Sequence, residues 1–191
     1  MVRIAAWALA ACVAAGTATA GGPPPFFLDM SAKFDLVDQT GATRTEADYT
    51  GKPMLIFFGY ANCEAICSVA LPAMGETLDM LGADAAQVAP IMITVDPEFD
   101  TPETLARALP DYHEDLIGLT GSETALAAAR EQFQVEREVV FHTPDGLPVY
   151  AHGSFIYLTD RDGKVTSMMP PILEPARMVE IIRARLDGRT L

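Results

Sequence analysis

The fold of this chain is decided by an apolar run that leads directly into two cysteines: Met54-Leu55-Ile56-Phe57-Phe58-Gly59-Tyr60-Ala61-Asn62-Cys63-Glu64-Ala65-Ile66-Cys67. The unbroken apolar run over residues 54–58 is typical of a central strand that is covered on both faces. The cysteines come just after the carboxyl end of that strand, which is where α/β sheets place their ligands. We therefore expect this strand in the middle of a sheet and the cysteines at its functional edge.

Segments of strand and helix character alternate downstream of this stretch. A helical pattern follows the cysteines, but Pro72 cannot donate to the carbonyl of Ser68, so we expect a kink or a short first turn there. Further predicted strands cover residues 88–95, 116–119 and 165–168, and β-rich segments cover residues 135–141 and 149–158, the second with an apolar strand over 155–158. Predicted helices start at Thr101-Pro102, Ser122 and Pro175. This order predicts an α/β domain with a mixed central sheet and helices on both faces, ending in a hairpin and a helix as a thioredoxin-like sheet does.

The N-terminus has the pattern of an export signal. Arg3 precedes an Ala-rich apolar stretch, and Ala18-Thr19-Ala20 matches the small-x-small cleavage pattern. We expect a signal peptide over residues 1–20, a proline-rich linker over 21–28 and a single domain over 29–191. Two alternatives stay open, in which the chain is lipidated at Cys12 or keeps the segment as a membrane anchor; either one gives membrane association through the N-terminus.

The net charge and the number of cysteines limit the classes of function that this chain can have. A net charge of −13 gives the chain no electrostatic footprint for nucleic acid. Beyond the predicted signal only Cys63 and Cys67 remain, and a disulfide across three residues constrains an unfolded chain little, so their spacing favours chemistry over a structural disulfide. At i and i+4 on one helical turn the two thiols would share a face, and a helix N-terminus lowers a thiol pKa. They are therefore a candidate redox pair or a pair of soft ligands for Cu(I).

Three histidines are candidates to complete such a site. His113 and His142 are expected on the surface, whereas His152 lies at a junction between a loop and a strand that is placed to face the cysteines. Position alone leaves the role of His152 open. For two other features, turn and cap roles are expected of Asp96 and Asp100, and packing is expected of Met168-Met169.

Three ordered motifs resemble those of the Sco/SenC family. The first is residues 57–67, which contain both cysteines. The second is Thr94-Val95-Asp96-Pro97-Glu98-Phe99-Asp100-Thr101-Pro102, and the third is Ala151-His152-Gly153-Ser154-Phe155-Ile156-Tyr157-Leu158-Thr159-Asp160. The resemblance extends from about residue 34 to residue 186, and three motifs in order are far more specific than a lone pair of cysteines.

The resemblance implies a thioredoxin-like fold and a role in handling copper. It implies that Cys63, Cys67 and His152 bind Cu(I), Cu(II) or both. The implied work is to deliver copper to the dinuclear copper site of a respiratory cytochrome c oxidase, or to keep the thiols of that site reduced, in the periplasm or intermembrane space. The implied partners are a client copper protein, such as an oxidase subunit, and a copper donor protein.

The sequence departs from the family pattern next to its ligands. Glu64 and Ser68 stand where the family has proline, Ala65 stands where an acid is common, and Ala151 stands where an aspartate precedes the histidine. The chain is therefore expected to be a divergent member, more a copper chaperone than an enzyme. The alternative is a periplasmic thiol–disulfide oxidoreductase in which Cys63 attacks and Cys67 resolves. A peroxide-reducing relative is a third, weaker interpretation.

Overall fold

The structure, a computed structural model, describes residues 30–63 and 66–189. The predicted signal, its cleavage site, Cys12 and the linker lie outside the described residues. Within those ranges, no helix combines the length and the apolar character that crossing a bilayer requires.

Nine strands and four α-helices make up this part of the chain. The strands are β1 (Asp35–Asp38), β2 (Thr43–Thr45), β3 (Met54–Gly59), β4 (Ala89–Thr94), β5 (Ile117–Thr120), β6 (Arg137–His142), β7 (Pro148–His152), β8 (Ile156–Thr159) and β9 (Val165–Met169). The helices are α1 (Cys67–Leu81), α2 (Pro102–Ala108), α3 (Glu123–Gln132) and α4 (Pro175–Leu186).

Seven of the strands form one mixed sheet in the order β2-β1-β5-β4-β3-β8-β9. Strands β3, β4 and β5 run parallel, and β8 joins β3 antiparallel with Leu55 opposite Leu158. Every residue of β3 and β4 is buried, as their continuous apolar sequences require. The predicted α/β class with a mixed sheet is confirmed, and β3 is central as expected.

The helix starts follow the predicted capping chemistry. The backbone N–H of Thr104 donates to Thr101 Oγ1 (3.2 Å), and the N–H of Ala125 donates to Ser122 Oγ (3.2 Å). In contrast, the separate first turn expected before Pro72 is absent. Helix α1 runs without a break from Cys67 to Leu81 and contains Pro72, so only the hydrogen bond to the Ser68 carbonyl is given up.

A second, two-stranded sheet made of β6 and β7 stands apart from the main sheet. We call it the hairpin. The β-rich segment predicted over residues 149–158 contains two strands: β7 ends at His152, and the chain then turns into the main sheet as β8, which agrees with the strand predicted to follow His152. The break falls at Gly153-Ser154, and β7 pairs with β6 whereas β8 pairs with β3 and β9.

Candidate functional site

The two cysteines lie just beyond the carboxyl end of β3, in what we call the thiol loop (residues 60–67, of which 64 and 65 are not described). The N–H of Cys63 donates to the carbonyl of Tyr60 (3.3 Å), and Cys67 is the first residue of α1. The expectation that both thiols lie on one helical turn is therefore wrong, because Cys63 precedes the helix. Both side chains are reduced and buried, with 7% and 1% of their surface exposed.

The two thiols nevertheless meet, because Cys67 and Cys63 are joined by a side-chain hydrogen bond. This hydrogen bond, together with burial and the charge of Cys63, raises the pKa of Cys67. The thiol pKa that the helix N-terminus was expected to lower is thus raised instead. Cys67 is therefore a neutral thiol rather than a thiolate at physiological pH.

Tyr60 is a neighbour of the thiols that the sequence argument missed. Its hydroxyl is hydrogen bonded to the side chain of Cys63, and burial, with the charge of Cys63, raises the pKa of Tyr60 to about 12. The tyrosine therefore stays neutral over the physiological range and can donate to a thiolate at Cys63. The available signal was its position, three residues before the first cysteine in a strand-end loop.

Gly59 allows the backbone of β3 to pass close to the sulfur of Cys67. A Cβ atom on Gly59 would lie 2.5 Å from Phe57 Cε1 and 3.1 Å from Cys67 Sγ. The first of these distances is too short for any real contact, so a side chain at this position would have to displace the Phe57 ring. Only glycine fits this close approach.

Asp100, in the second motif, is hydrogen bonded to the backbone of the thiol loop from inside the protein. Its carboxylate accepts the N–H of Ala61 (3.1 Å to Oδ2) and the hydroxyl of Thr94 (2.6 Å). The side chain is fully buried, and burial raises the pKa of Asp100 to about 6. The expected turn role for this motif agrees with the backbone, since the N–H of Asp100 donates to the carbonyl of Asp96 (2.9 Å). The link to Ala61 was not expected.

The hairpin is attached to the same region through Tyr150. The Tyr150 hydroxyl donates to Asp96 Oδ1 (3.3 Å), and its ring meets Tyr60 edge-on at 5.6 Å between centroids. The guanidinium of Arg137 lies 4.3 Å from the Tyr150 ring centroid and is ion-paired with Glu123 (2.8 Å). The second motif therefore contacts both the thiol loop, through Asp100, and the hairpin, through Asp96.

His152 is the last residue of β7 and is half-buried. Its ring meets Phe57 and Tyr60 edge-on, at 6.2 and 6.1 Å between ring centroids. Its Nδ1 lies 3.0 Å from the carbonyl oxygen of Gly153. Because a carbonyl only accepts, Nδ1 carries the proton, and the lone pair of Nε2 is left for a ligand. The Gly153 carbonyl thus orients the imidazole where Ala151 provides no acid.

The structure brings the two cysteines together, but His152 does not form a metal site with them. His152 shares its ring neighbours Phe57 and Tyr60 with the thiol loop. However, within residues 30–63 and 66–189 no three His, Cys, Asp or Glu side chains stand close enough together to hold a metal ion. The candidate ligands are neighbours that still have to converge.

The other two histidines are not part of this site. His142 is exposed, as predicted. The surface position predicted for His113 is wrong, since only 14% of its side chain is exposed and its Nδ1 accepts the N–H of Asp115 (3.1 Å). It is buried because Gly75 lets this segment pack on α1, where a Cβ would lie 2.3 Å from the Tyr112 carbonyl oxygen. Met169 is buried in the core, in line with a packing role.

The sequence of this chain is similar to those of known proteins. A family model described as SCO1/SenC matches residues 24–187. A SCO2-like protein of Rickettsia conorii is 35% identical over 156 residues, which are 81% of this chain and 76% of that protein.

Solved structures are similar over the same region. ScoI of Bradyrhizobium japonicum with copper bound has 35% identity and a TM-score of 0.76, over 82% of this chain and 99% of that one. BsSco, described with a disulfide switch and as a member of the Sco family of cytochrome c oxidase assembly proteins, has 25% identity and a TM-score of 0.66, over 83% and 94%. These likenesses confirm the thioredoxin-like fold expected from the sequence.

Proposed function

Because this chain belongs to the SCO1/SenC family, we propose that it binds copper through Cys63, Cys67 and His152 and delivers it to a client copper protein of a respiratory cytochrome c oxidase. The observation that carries the proposal is the buried, reduced thiol pair at the end of β3, with the ring of His152 against Tyr60, which is itself hydrogen bonded to Cys63. The copper-bound structure of the Bradyrhizobium japonicum relative and the assembly family of BsSco support copper as the cargo.

The chemistry of the donor set suits copper. Two thiolates and one imidazole are soft and borderline ligands, and such a set favours Cu(I) and admits Cu(II) with a further ligand. The Cys67 thiol must lose its proton when its sulfur binds a metal, so copper binding releases protons. The neutral Tyr60 hydroxyl remains as a donor to the Cys63 sulfur.

Delivery requires a partner that competes for the same ion. We propose that the client's own thiolates and imidazoles replace the three ligands one at a time, and that a donor protein reloads the site in the same way. His152 is the first to exchange in this scheme, because it lies on the hairpin rather than in the buried loop. We further propose that residues 1–20 export the chain to the periplasm, as a cleaved signal, a lipidated segment or an anchor, and that residues 29–191 are the copper-handling domain.

A titration with Cu(I) under reducing conditions tests the proposal. Wild-type chain should bind one Cu(I), and Cys63→Ser or Cys67→Ser should abolish tight binding because each removes a soft donor from a buried pair. Cys12→Ser is the matched control, since it makes the same chemical change outside the described residues and should leave the stoichiometry at one. A wild-type chain that binds no copper, or a Cys63→Ser variant that binds like wild type, would refute it.

Thiol–disulfide exchange is the second candidate, favoured by the hydrogen bond between the two thiols. Here the Cys63 thiolate attacks a client disulfide and expels one client thiolate, which takes up a proton. Cys67 then attacks the mixed disulfide, releases the second client thiol and leaves a Cys63–Cys67 disulfide, so two electrons pass to the client. His152 has no part in these steps. If His152→Ala abolishes function in cells while exchange rates stay normal, copper delivery is the function; a silent His152→Ala favours thiol exchange.

A further inference from the structure

A cleft of about 530 Å³ opens between the thiol loop and the tip of the hairpin. The loop contributes Tyr60 and Asn62 to its lining, and the hairpin contributes Phe141, Asp145 and Leu147. Its volume falls in the range of about 300–1,000 Å³ that is usual for sites that take a small ligand or a single side chain. The cleft adjoins the site described above, because Asn62 directly precedes Cys63.

The cleft presents a carboxylate that lacks a partner. The Oδ1 of Asn62 is enclosed by the protein and makes no hydrogen bond within the described residues, so it does not face the cleft. The carboxylate of Asp145 has no hydrogen bond or ion pair within the described part of the chain. The groups of Thr143 are used within the turn, since its hydroxyl accepts the N–H of Leu147 (3.1 Å) and its own N–H donates to the Leu147 carbonyl (2.8 Å). The described residues of the cleft therefore offer the Asp145 carboxylate no donor.

The walls of the cleft are aromatic and aliphatic. Phe141 is 57% exposed and Leu147 is 40% exposed, which is unusual for side chains of this size. Tyr60 adds an aromatic ring on the other side. Such walls suit an apolar stem, and aromatic faces attract a cation placed over them.

From this lining we propose that the cleft binds an arginine side chain of the client polypeptide, with the guanidinium donating to the Asp145 carboxylate and the apolar stem lying against Phe141 and Leu147. The identity of the partner as the client rests on the proposed function; the chemistry of the ligand does not. The overall charge agrees with a cationic ligand, because the chain carries a net charge of −13. An arginine held here would bring the client's metal-binding segment next to Cys63.

The test is an NMR titration of the full chain with two capped peptides, acetyl-Gly-Arg-Gly-amide and acetyl-Gly-Gln-Gly-amide. The arginine peptide should give saturable shifts at the amides of Tyr60, Asn62 and Asp145, and the glutamine peptide should not. Asp145→Asn should weaken binding about threefold or more, the size of a partly exposed ion pair. Asp162→Asn is the matched control, since it removes an exposed carboxylate from the β8–β9 turn and should change nothing.

Three results would overturn the inference: no saturable shift, equal shifts with both peptides, or unchanged binding in Asp145→Asn. Copper stoichiometry, measured on the same samples, separates this inference from the proposed function. A chain that takes up one Cu(I) but ignores the arginine peptide rejects the cleft alone. A chain that binds the peptide in the cleft but takes up no copper rejects the proposed function alone.

Discussion

The thiol loop and the hairpin hold the two halves of the candidate site, and they are built in opposite ways. The thiol loop continues from a strand that is buried along its whole length, and Asp100 fixes its backbone from inside the protein. The hairpin pairs only with itself, and most of β6 is exposed. Its attachments are side-chain contacts around Tyr150 and Arg137.

This difference indicates how the site works. A two-stranded hairpin is marginally stable on its own and opens at a lower free-energy cost than a central strand. The thiols are therefore set in place by the core, whereas His152 lies on an element with fewer attachments. In the proposed function copper has to be bound and also released, and a ligand on a separate element would serve both needs.

The largest effect is expected from adding one methyl group to the thiol half. Gly59→Ala puts a Cβ 2.5 Å from Phe57 and 3.1 Å from Cys67 Sγ, so it should lower the free energy of unfolding by about 3 kcal/mol. Urea denaturation measures this. Gly153→Ala is the matched control in the hairpin half, where the nearest atom is Val135 Cγ2 at 3.4 Å, an ordinary contact. Equal losses in the two variants would contradict the contrast between the halves.

An intermediate effect is expected from Asp100 in the thiol half, because its titration makes the free energy of unfolding depend on pH. Burial raises its pKa from 3.8 to about 6. The folded state thus keeps this proton while the unfolded state loses it near pH 4, so the stabilisation is complete below about pH 4 and is lost as the pH rises through about 6. Asp100→Asn should remove this fall, which amounts to about 2 kcal/mol between pH 4 and pH 7.

Urea unfolding at several pH values between 4 and 7 checks this. The control is Asp35→Asn, which removes an exposed carboxylate and should keep the wild-type slope. A slope in Asp100→Asn that matches wild type would show that Asp100 is not the group responsible.

The smallest of these effects is expected in the hairpin half. His152→Ala should weaken Cu(I) binding about tenfold while leaving the free energy of unfolding within about 0.5 kcal/mol, because the ring is half-buried on a peripheral element. Competition with a Cu(I) chelator measures the affinity. His142→Ala, at the exposed hairpin tip, should bind copper like wild type. An affinity that His152→Ala leaves unchanged would remove this residue from the ligand set.

Much of the fold could be predicted because local signals carry it. Thr101, Ser122 and Pro175 mark helix starts through their own side chains, and the apolar runs of β3 and β4 identify buried strands without any long-range information. The assignment of β7 and β8 to different sheets could not be predicted in this way. Both segments favour a strand, and only the choice of pairing partner, β6 for one and β3 for the other, separates them.

The candidate site was predictable in its ligands but not in its supports. Cys63, Cys67 and His152 have donor atoms that reveal their chemistry in any sequence. The hydrogen bond of Asp100 to Ala61 joins residues 39 apart, and the close approach at Gly59 depends on where Phe57 and Cys67 pack. Such contacts are set by the tertiary fold, so no local sequence pattern predicts them.

Hydrogen–deuterium exchange of the metal-free and Cu(I)-loaded chain tests most directly the claim that copper joins the two halves. Copper should slow exchange of the amides of β6 and β7 by about tenfold or more, because the hairpin is then held through His152. The amides of β3 and of α1 beyond its first turn should change little, and His152→Ala should abolish the protection of the hairpin. Protection confined to the thiol loop, or hairpin protection that persists in His152→Ala, would contradict this account.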